Sequence, residues 1–121
     1  MNKEEFTLVL GASEKPDRYS NQAIRMLRDH GYATIAHGNK AGQVLDVPIE
    51  RELPKEKCDT ITLYLSAKNQ GDFIAPILEM KPRRVIFNPG TENEEFEQLL
   101  EKSGIEATRA CTLVLLSTGQ Y

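Results

Sequence analysis

The fold of this chain is decided by a short stretch, TLVLGAS at residues 7–13, in which an apolar run meets a small polar turn. The run at 7–10 lacks the alternation of apolar and polar residues that marks a half-exposed strand. It is typical of a strand buried on both faces, as in a parallel sheet covered by helices. After it, Ser20 offers an N-cap, Ala23 and Leu27 follow at helical spacing, and Gly31 supplies a helix end.

Outward from this stretch, strand and helix patterns alternate along the chain. Apolar and β-branched runs predict strands at 7–10, 32–36, 60–65 and 84–87, with a weak fifth strand at 105–108. Helical spacing predicts helices at 20–30, 73–78 and 91–103, the last opened by a capping box at 91–94. Pro76 predicts a kink or a late start in the second helix. The stretch 40–57 holds Pro48 and Pro54, and we expect only short helical turns there.

Alternating strands and helices bury their apolar faces best as parallel strands joined by right-handed helical crossovers. We therefore predict an α/β fold with three layers, Rossmann-like, with an open and mostly parallel sheet of about five strands. The pattern leaves the strand order open. A chain of 121 residues matches one domain, so residues 1–121 are predicted to form a single unit.

Composition narrows the possible partners. The 15 basic and 18 acidic residues give a net charge of −3, so we expect no nucleic-acid partner. The longest apolar run, at 113–116, is far too short to cross a membrane, and the N-terminus lacks the apolar segment of a signal peptide. The two cysteines do not form a CxxC pair. We expect a cytoplasmic protein without a membrane partner.

The loops after the predicted strands are the expected ligand site, because open parallel sheets bind ligands beyond the carboxyl ends of their strands. These loops lie at 11–13, 37–40, 66–68 and 88–91. They contain small, polar and basic residues, and none brings a carboxylate close to the strand end. Such loops suit an anionic ligand. In the first loop Gly11 permits a tight turn, Ser13 can donate a hydroxyl, and Lys15 and Arg18 add positive charge before a helix N-terminus.

Dinucleotide and P-loop motifs are missing from these loops. The first loop has one glycine where GxGxxG requires three, and the second predicted strand ends in His37 rather than in a ribose-binding acid. No Walker A motif is present. NAD is therefore disfavoured, whereas NADP with Lys40 beside its 2′-phosphate stays open.

No catalytic residue and no metal site are predicted. His30 and His37 lack metal-ligand spacing to another histidine or cysteine, and His30 fits a helix C-terminus. Cys111 fits a small buried residue better than a reactive thiol. The acidic stretch at 92–97 fits the solvated face and first turn of a helix rather than a catalytic pair.

The order of these features resembles the CoA-binding domain family. The resemblance is carried by LGAS at 10–13, by the segment 32–40 followed by AGQVL at 41–45, and by VIFN at 85–88 before a helix. This family is similar to the N-terminal domain of the succinyl-CoA synthetase α-subunit, which implies a Rossmann-like fold. The resemblance extends from about Thr7 to Leu116.

Carried over position by position, the family's ligand contacts fall on eleven residues of this chain. They are Gly11, Ala12, Ser13 and Lys15 in the phosphate loop, Arg18 and Tyr19 close to the phosphates, Lys40 after the second strand, and Ser66, Asn88, Pro89 and Gly90 after the third and fourth. One departure is Gly38-Asn39, where the family commonly has Asn-Pro.

The resemblance implies a stand-alone CoA or acyl-CoA binding protein, with a small nucleotide-like molecule as its ligand. The synthetase's phosphorylated histidine lies in a domain that this chain does not contain, so we expect no ligase activity. Two alternatives stay open: a small NADP-dependent oxidoreductase, and an interaction subunit with a vestigial nucleotide site. A homodimer through an edge strand or a helix face also stays open.

Overall fold

In the computed structural model, which describes residues 3–121, the deciding stretch forms the central strand β1 (Phe6–Leu10) and the turn that leaves it. Leu8, Val9 and Leu10 are completely buried. Leu8 and Leu10 pack on one side of the sheet and Val9 on the other. The strand is thus covered on both faces, as its unbroken apolar run predicts.

The other elements follow in an alternating order. They are α1 (Tyr19–Asp29), β2 (Thr34–His37), β3 (Gly42–Val44), β4 (Val47–Glu50), β5 (Cys58–Leu63), α2 (Gly71–Met80), β6 (Arg84–Phe87), α3 (Glu94–Lys102), β7 (Glu106–Arg109) and α4 (Thr112–Ser117). A single 3₁₀ turn at Ala67–Asn69 precedes α2. The strands form one sheet in the order β3-β4-β2-β1-β5-β6-β7, parallel except for β3.

Two helical layers enclose this sheet, which confirms the predicted three-layer α/β fold. On one side Ile24 and Leu27 of α1 and Leu116 of α4 pack against the sheet. On the other side Ile77 of α2 and Phe96 of α3 form the second core with β5 and β6. The layers place helices over both faces, as parallel strands require.

The predicted count of about five strands is corrected to seven. Strands β3 and β4 form a hairpin in the stretch 40–57, where we expected only short helical turns. Val47 and Ile49 of β4 are buried while Pro48 and Glu50 are exposed, so a period of two was present in the sequence. Pro48 obscured it, although its ring lies on the outward side, where it displaces no core residue.

Helix ends also differ from the sequence predictions. α1 begins at Tyr19 after Arg18, so Ser20 lies within the helix rather than at its N-cap. α3 is capped by Asn93, whose side chain accepts from the Phe96 amide, so the cap lies two residues beyond the predicted start at 91. α2 runs through Pro76 and starts before the predicted residue 73. The helix α4 was not predicted.

The strand register brings four loops together at the carboxyl ends of the strands. Leu10 at the end of β1 is aligned with His37 of β2 and with Leu63 of β5, and Leu63 is aligned with Phe87 of β6. The residues that follow these four therefore emerge side by side. β1 pairs with β2 on one side and with β5 on the other, so the topological switch point lies at the carboxyl end of β1.

Candidate functional site

A cleft of about 830 Å³ lies beyond the carboxyl ends of β2, β1, β5 and β6. Ten of the eleven residues predicted for ligand binding line it. They are Gly11, Ala12, Ser13, Lys15, Arg18, Tyr19, Lys40, Ser66, Pro89 and Gly90. The structure thus gathers residues that are up to 79 positions apart in the chain.

The turn after β1 is held tightly against its neighbours. Gly11 has a φ of +99°, and a Cβ there would lie 3.1 Å from the carbonyl carbon of Tyr64. Glycine is therefore required both by conformation and by space. The amides of Gly11 and Ala12 both donate to the carbonyl of His37 at 2.9 Å. These two amides therefore stabilise the turn.

The rest of this loop is ordered by its own polar groups. The Asn21 side chain, completely buried in α1, donates to the Ser13 carbonyl at 3.0 Å. The Ser13 hydroxyl accepts from the Lys15 amide at 3.1 Å. The Arg18 amide donates to the Lys15 carbonyl at 3.1 Å, which closes a further turn before α1. Asn21 is a supporting residue that the sequence pattern did not single out.

The start of α1 faces the cleft without a cap. Arg18 is the N-cap residue, but its side chain makes no capping hydrogen bond, and the first turn contains no acidic residue. Arg18, Tyr19 and Ser20 all line the cleft, and Tyr19 is 70% exposed. A helix N-terminus with unsatisfied amides and a positive dipole end favours an anion.

The turn after β2 approaches the first loop closely. A Cβ at Gly38 would lie 2.5 Å from the carbonyl oxygen of Ala12, so a larger residue does not fit. Asn39 and Lys40 follow and are exposed in the cleft. Gly38 therefore allows the two loops to meet, a role that its place in the sequence alone did not reveal.

His37 forms part of the cleft wall but is mostly buried. Its Nε2 lies 3.0 Å from the carbonyl oxygen of Arg51, and because a carbonyl only accepts, Nε2 carries the proton. The ring packs edge-on against Phe73, with centroids 5.3 Å apart. Burial lowers the pKa of His37, so the ring is neutral at pH 7. It fixes β2 against the segment after β4 and leaves Nδ1 as the acceptor.

The loops after β5 and β6 are joined by a buried amide. The side chain of Gln70 donates from Nε2 to the carbonyls of Leu65 and Thr91, at 2.8 and 2.7 Å. Its Oε1 accepts from Asn93 at 3.0 Å. Gln70 is completely buried, so both loops keep a fixed spacing. Nothing in the sequence pattern marked Gln70.

Asn88 is the predicted residue that the structure does not bring to the cleft lining. Its Nδ2 donates to the Thr62 hydroxyl and to the Leu63 carbonyl, both at 2.7 Å. Its Oδ1 accepts from the Thr112 amide at 2.8 Å. With 2% of its surface exposed, Asn88 joins β5, β6 and the start of α4.

Charge is distributed unevenly around the cleft. Lys15, Arg18 and Lys40 line the part formed by the loops after β1 and β2, and no described lining residue is an aspartate or glutamate. Lys68, in the 3₁₀ turn, does not line the cleft, contrary to expectation. Burial raises the pKa of the lining residue Tyr64 to about 12, so its phenol stays protonated at neutral pH. The arrangement favours binding of an anion over acid–base chemistry.

Other groups proposed from the sequence lie away from this cleft. His30 is the C-cap of α1, and its Nδ1 lies 2.7 Å from the Met26 carbonyl oxygen. Cys58 and Cys111 are both free, and burial raises the pKa of the Cys58 thiol to about 11. Within residues 3–121, no three histidine, cysteine or acidic side chains are grouped as a metal site. None of the helices in that range has the length and apolar character to span a bilayer.

Comparison with known proteins finds a family model and solved structures that match nearly the whole chain. The model of the CoA binding domain family matches residues 6–117. A crystal structure of a protein described only as uncharacterised is 46% identical, covers 99% of this chain and 100% of its own, and has a TM-score of 0.94. Cell-free ID.343 from Thermus thermophilus is 22% identical over 100% of both chains, with a TM-score of 0.87.

A larger enzyme contains the same fold as one part. The dinucleotide-forming acetyl-coenzyme A synthetase 1 of Ca. Korarchaeum cryptofilum, in complex with phosphate and ADP, is 16% identical, with a TM-score of 0.69. The match covers 85% of this chain and 25% of the synthetase, and at this identity it shows the fold alone. None of the curated proteins matches this chain.

Proposed function

The chain belongs to the CoA-binding domain family, and from that premise we propose that it binds coenzyme A or an acyl-CoA in the cleft. The protein acts in this proposal as a stand-alone binding module without catalysis of its own. The ligand lies across the carboxyl ends of β2, β1, β5 and β6.

The observation that carries this proposal is the division of the cleft into a cationic and an uncharged part. The loops after β1 and β2 contribute Lys15, Arg18 and Lys40. The loops after β5 and β6, on the other side of β1, contribute small, polar and apolar residues such as Ser66 and Gly90, without a charged side chain. Coenzyme A has the same division, since a nucleotide with several phosphates is joined to a long neutral pantetheine arm.

The proposed roles follow from this match. Lys15, Arg18 and Lys40 neutralise the phosphates, and the uncapped start of α1 donates amides to one of them. We assign adenine stacking to the ring of Tyr19, which is exposed at the start of α1. The pantetheine arm runs past Ser66 toward Gly90, where φ is +92° and the space beside the backbone is open.

The lining residues also support binding without catalysis. A general acid–base reaction needs a group with a pKa near the working pH. Among the described lining residues, the side chain whose usual pKa lies closest to neutrality is His37, and it is held in place by Arg51 and Phe73. No carboxylate lies beside it in the lining.

The test is calorimetric titration of the folded protein with CoA, dephospho-CoA, NAD and NADP. We expect CoA to bind most tightly, and dephospho-CoA more weakly because it lacks the 3′-phosphate. Tighter binding of NADP than of CoA would support the oxidoreductase alternative instead. Failure of CoA to bind at millimolar concentration, with the fold confirmed by circular dichroism, would overturn the proposal.

A charge substitution localises the binding. Lys40→Ala is expected to weaken CoA binding by about three- to tenfold, because one phosphate loses a cation in a solvent-exposed setting. The matched control is Lys55→Ala, which removes the same charge from an exposed lysine outside the cleft lining. Both affinities are measured by calorimetry at low salt. Equal effects of the two substitutions would mean that only net charge matters and that Lys40 is not a contact.

A further inference from the structure

The first loop of the cleft contains a carboxylate that the structure turns away from the ligand site. Glu14 lies between Ser13 and Lys15, which both line the cleft, but Glu14 itself does not. Its Oε2 accepts a hydrogen bond from the backbone amide of Gln43 in β3, at 2.9 Å. The carboxylate is thus attached to the edge hairpin rather than to the cations beside it.

Gly42 provides the space for this contact. A Cβ built on Gly42 would overlap the Glu14 side chain, with Oε1 only 2.6 Å away. The nearest atoms to that Cβ all belong to Glu14. Gly42 does not have a positive φ, so its backbone conformation does not demand glycine. The absence of a side chain at Gly42 therefore serves the carboxylate of Glu14.

We infer that Gly42 and the Gln43 amide form a receptor for the Glu14 carboxylate that keeps its negative charge out of the anion cleft. Gly42 is then the positioning residue, because it holds the Glu14 carboxylate away from the ligand, and this role rests on the proposed function. The inference adds to that function a requirement for the β3–β4 hairpin, which lies at the edge of the sheet.

Electrostatics give this arrangement its consequence. The ion pairs Arg28–Asp46, Arg83–Asp59 and Arg109–Glu97 do not involve Lys15 or Arg18, and neither of these two cations has an acidic partner among the described residues. Released from the Gln43 amide, the Glu14 carboxylate would lie next to Lys15 in the chain. It would then pair with Lys15 or repel a phosphate bound there. Asp17, the other acid of this loop, is exposed and does not line the cleft. Holding Glu14 on the hairpin leaves the cations free for a ligand.

The test compares four proteins: wild type, Gly42→Ala, Glu14→Gln and the double variant. Gly42→Ala is expected to weaken CoA binding by about three- to fivefold at low salt, because the displaced carboxylate is an exposed charge near the phosphates. Glu14→Gln is expected to bind at least as well as wild type, since the glutamine oxygen still accepts from Gln43. In the double variant the displaced side chain is neutral, so we expect affinity within about twofold of wild type.

Two measurements distinguish an effect of the Glu14 charge from an effect on the order of the first loop. The deficit of Gly42→Ala is expected to shrink in 0.5 M salt, because screening acts on an exposed charge and not on a packing defect. A double variant as weak as Gly42→Ala would show that the contact acts through loop order, and would overturn the inference. Unchanged affinity in Gly42→Ala would overturn it as well. Circular dichroism and thermal melting establish that each variant is folded.

Titration of the same four proteins with inorganic pyrophosphate distinguishes this inference from the proposed function. Binding of pyrophosphate but not of CoA by the wild type would overturn the proposed function, while the four variants would still test the carboxylate. Binding of neither ligand by the wild type would overturn both. Binding of CoA by the wild type with no difference among the variants would overturn only the role of Glu14.

Discussion

At the scale of single residues, Asn88 and Lys40 show how similar positions acquire different roles. Both follow a parallel strand, at the end of the sheet where the cleft lies. Lys40 is exposed in the cleft, whereas the Asn88 amide is enclosed by Thr62, Leu63 and Thr112. The sequence places both residues after a strand, but only the hydrogen bonds of Asn88 to β5 and to the start of α4 keep its side chain out of the cleft lining.

Asn88→Ala is expected to lower the free energy of unfolding by about 2–3 kcal/mol, because it leaves the Thr112 amide and the Leu63 carbonyl buried without this partner. The CoA affinity of the folded variant is expected to stay within about twofold of wild type. Urea denaturation and calorimetry measure the two quantities. Asn39→Ala, an exposed asparagine of the cleft lining, is the control for stability. A large loss of affinity with unchanged stability would make Asn88 a ligand residue.

At the scale of elements, α1 and α3 begin in opposite ways although both follow a parallel strand. α3 is capped by Asn93 and carries three glutamates in its first turn. α1 has neither a side-chain cap nor an acidic first turn. Capping and acidic residues stabilise a helix start, so their absence from α1 costs stability. The cost is explained if an anionic ligand occupies that position.

This difference predicts a trade between stability and binding at residue 18. Arg18→Ser and Arg18→Ala both remove the charge, and we expect both to weaken CoA binding by about three- to tenfold. Arg18→Ser is expected to be more stable than Arg18→Ala by about 0.5–1 kcal/mol, because serine caps the helix. It is also expected to bind CoA more weakly than Arg18→Ala, because the serine hydroxyl then occupies a helix amide. Thermal melting and calorimetry measure these differences, and equal affinities would contradict competition for the amide.

The β3–β4 hairpin is the part of the sheet that sequence reasoning missed. Its strands have three and four residues, and Pro48 interrupts the apolar pattern of the second. Such short strands have little stability alone and form because β4 pairs with β2, where Ala36 is aligned with Ile49. A local pattern does not contain that partner, so a prediction of turns was reasonable but wrong.

At the scale of the whole molecule, the groups that stabilise the fold and those that are proposed to bind the ligand lie at opposite ends of the strands. Beyond the carboxyl ends of the strands lies the cationic cleft. Toward the other end, Arg83 donates to both oxygens of Asp59, at 2.9 and 3.0 Å, where the Asp59 side chain is 8% exposed. Changes to this pair are therefore expected to alter stability without altering ligand binding.

Burial alone would raise the pKa of Asp59, but hydrogen bonds from Arg83 and Thr60 outweigh it and lower the pKa to about 2. Its neighbour Glu5 has a raised pKa, mainly through its hydrogen bond with Asp59. A depressed carboxyl pKa contributes stability above the usual value of 3.8, and this contribution is lost as the pH falls from about 4 toward 2. Asp59→Asn is expected to cost about 1–2 kcal/mol at pH 7, with a difference that disappears toward pH 2.

The control for this pH dependence is Asp46→Asn. Asp46 pairs with Arg28 in the same two-bond geometry, but its side chain is 63% exposed, so we expect its loss to change stability little. Urea denaturation of both variants between pH 2 and pH 7 measures the effect. Equal losses for Asp46→Asn and Asp59→Asn would show that burial does not decide the strength of these pairs.

The sequence by itself determined the fold class, the helical layers and the identity of most loops that form the cleft. It did so because an apolar run such as 7–10 and the helical spacing that follows are local consequences of burial on both faces. Ten of the eleven predicted ligand residues line one cleft, because the loops that follow parallel strands lie at the same end of the sheet.

Only the tertiary structure decided the strand order, the added hairpin, the inward turn of Asn88 and the attachment of Glu14 to Gln43. Each of these depends on contacts between residues that are far apart in the chain, such as Asn88 with Thr112 and Gly38 with Ala12. Local patterns record how a segment is buried but not which segment covers it. The ligand-facing side of a loop is therefore set by its distant neighbours.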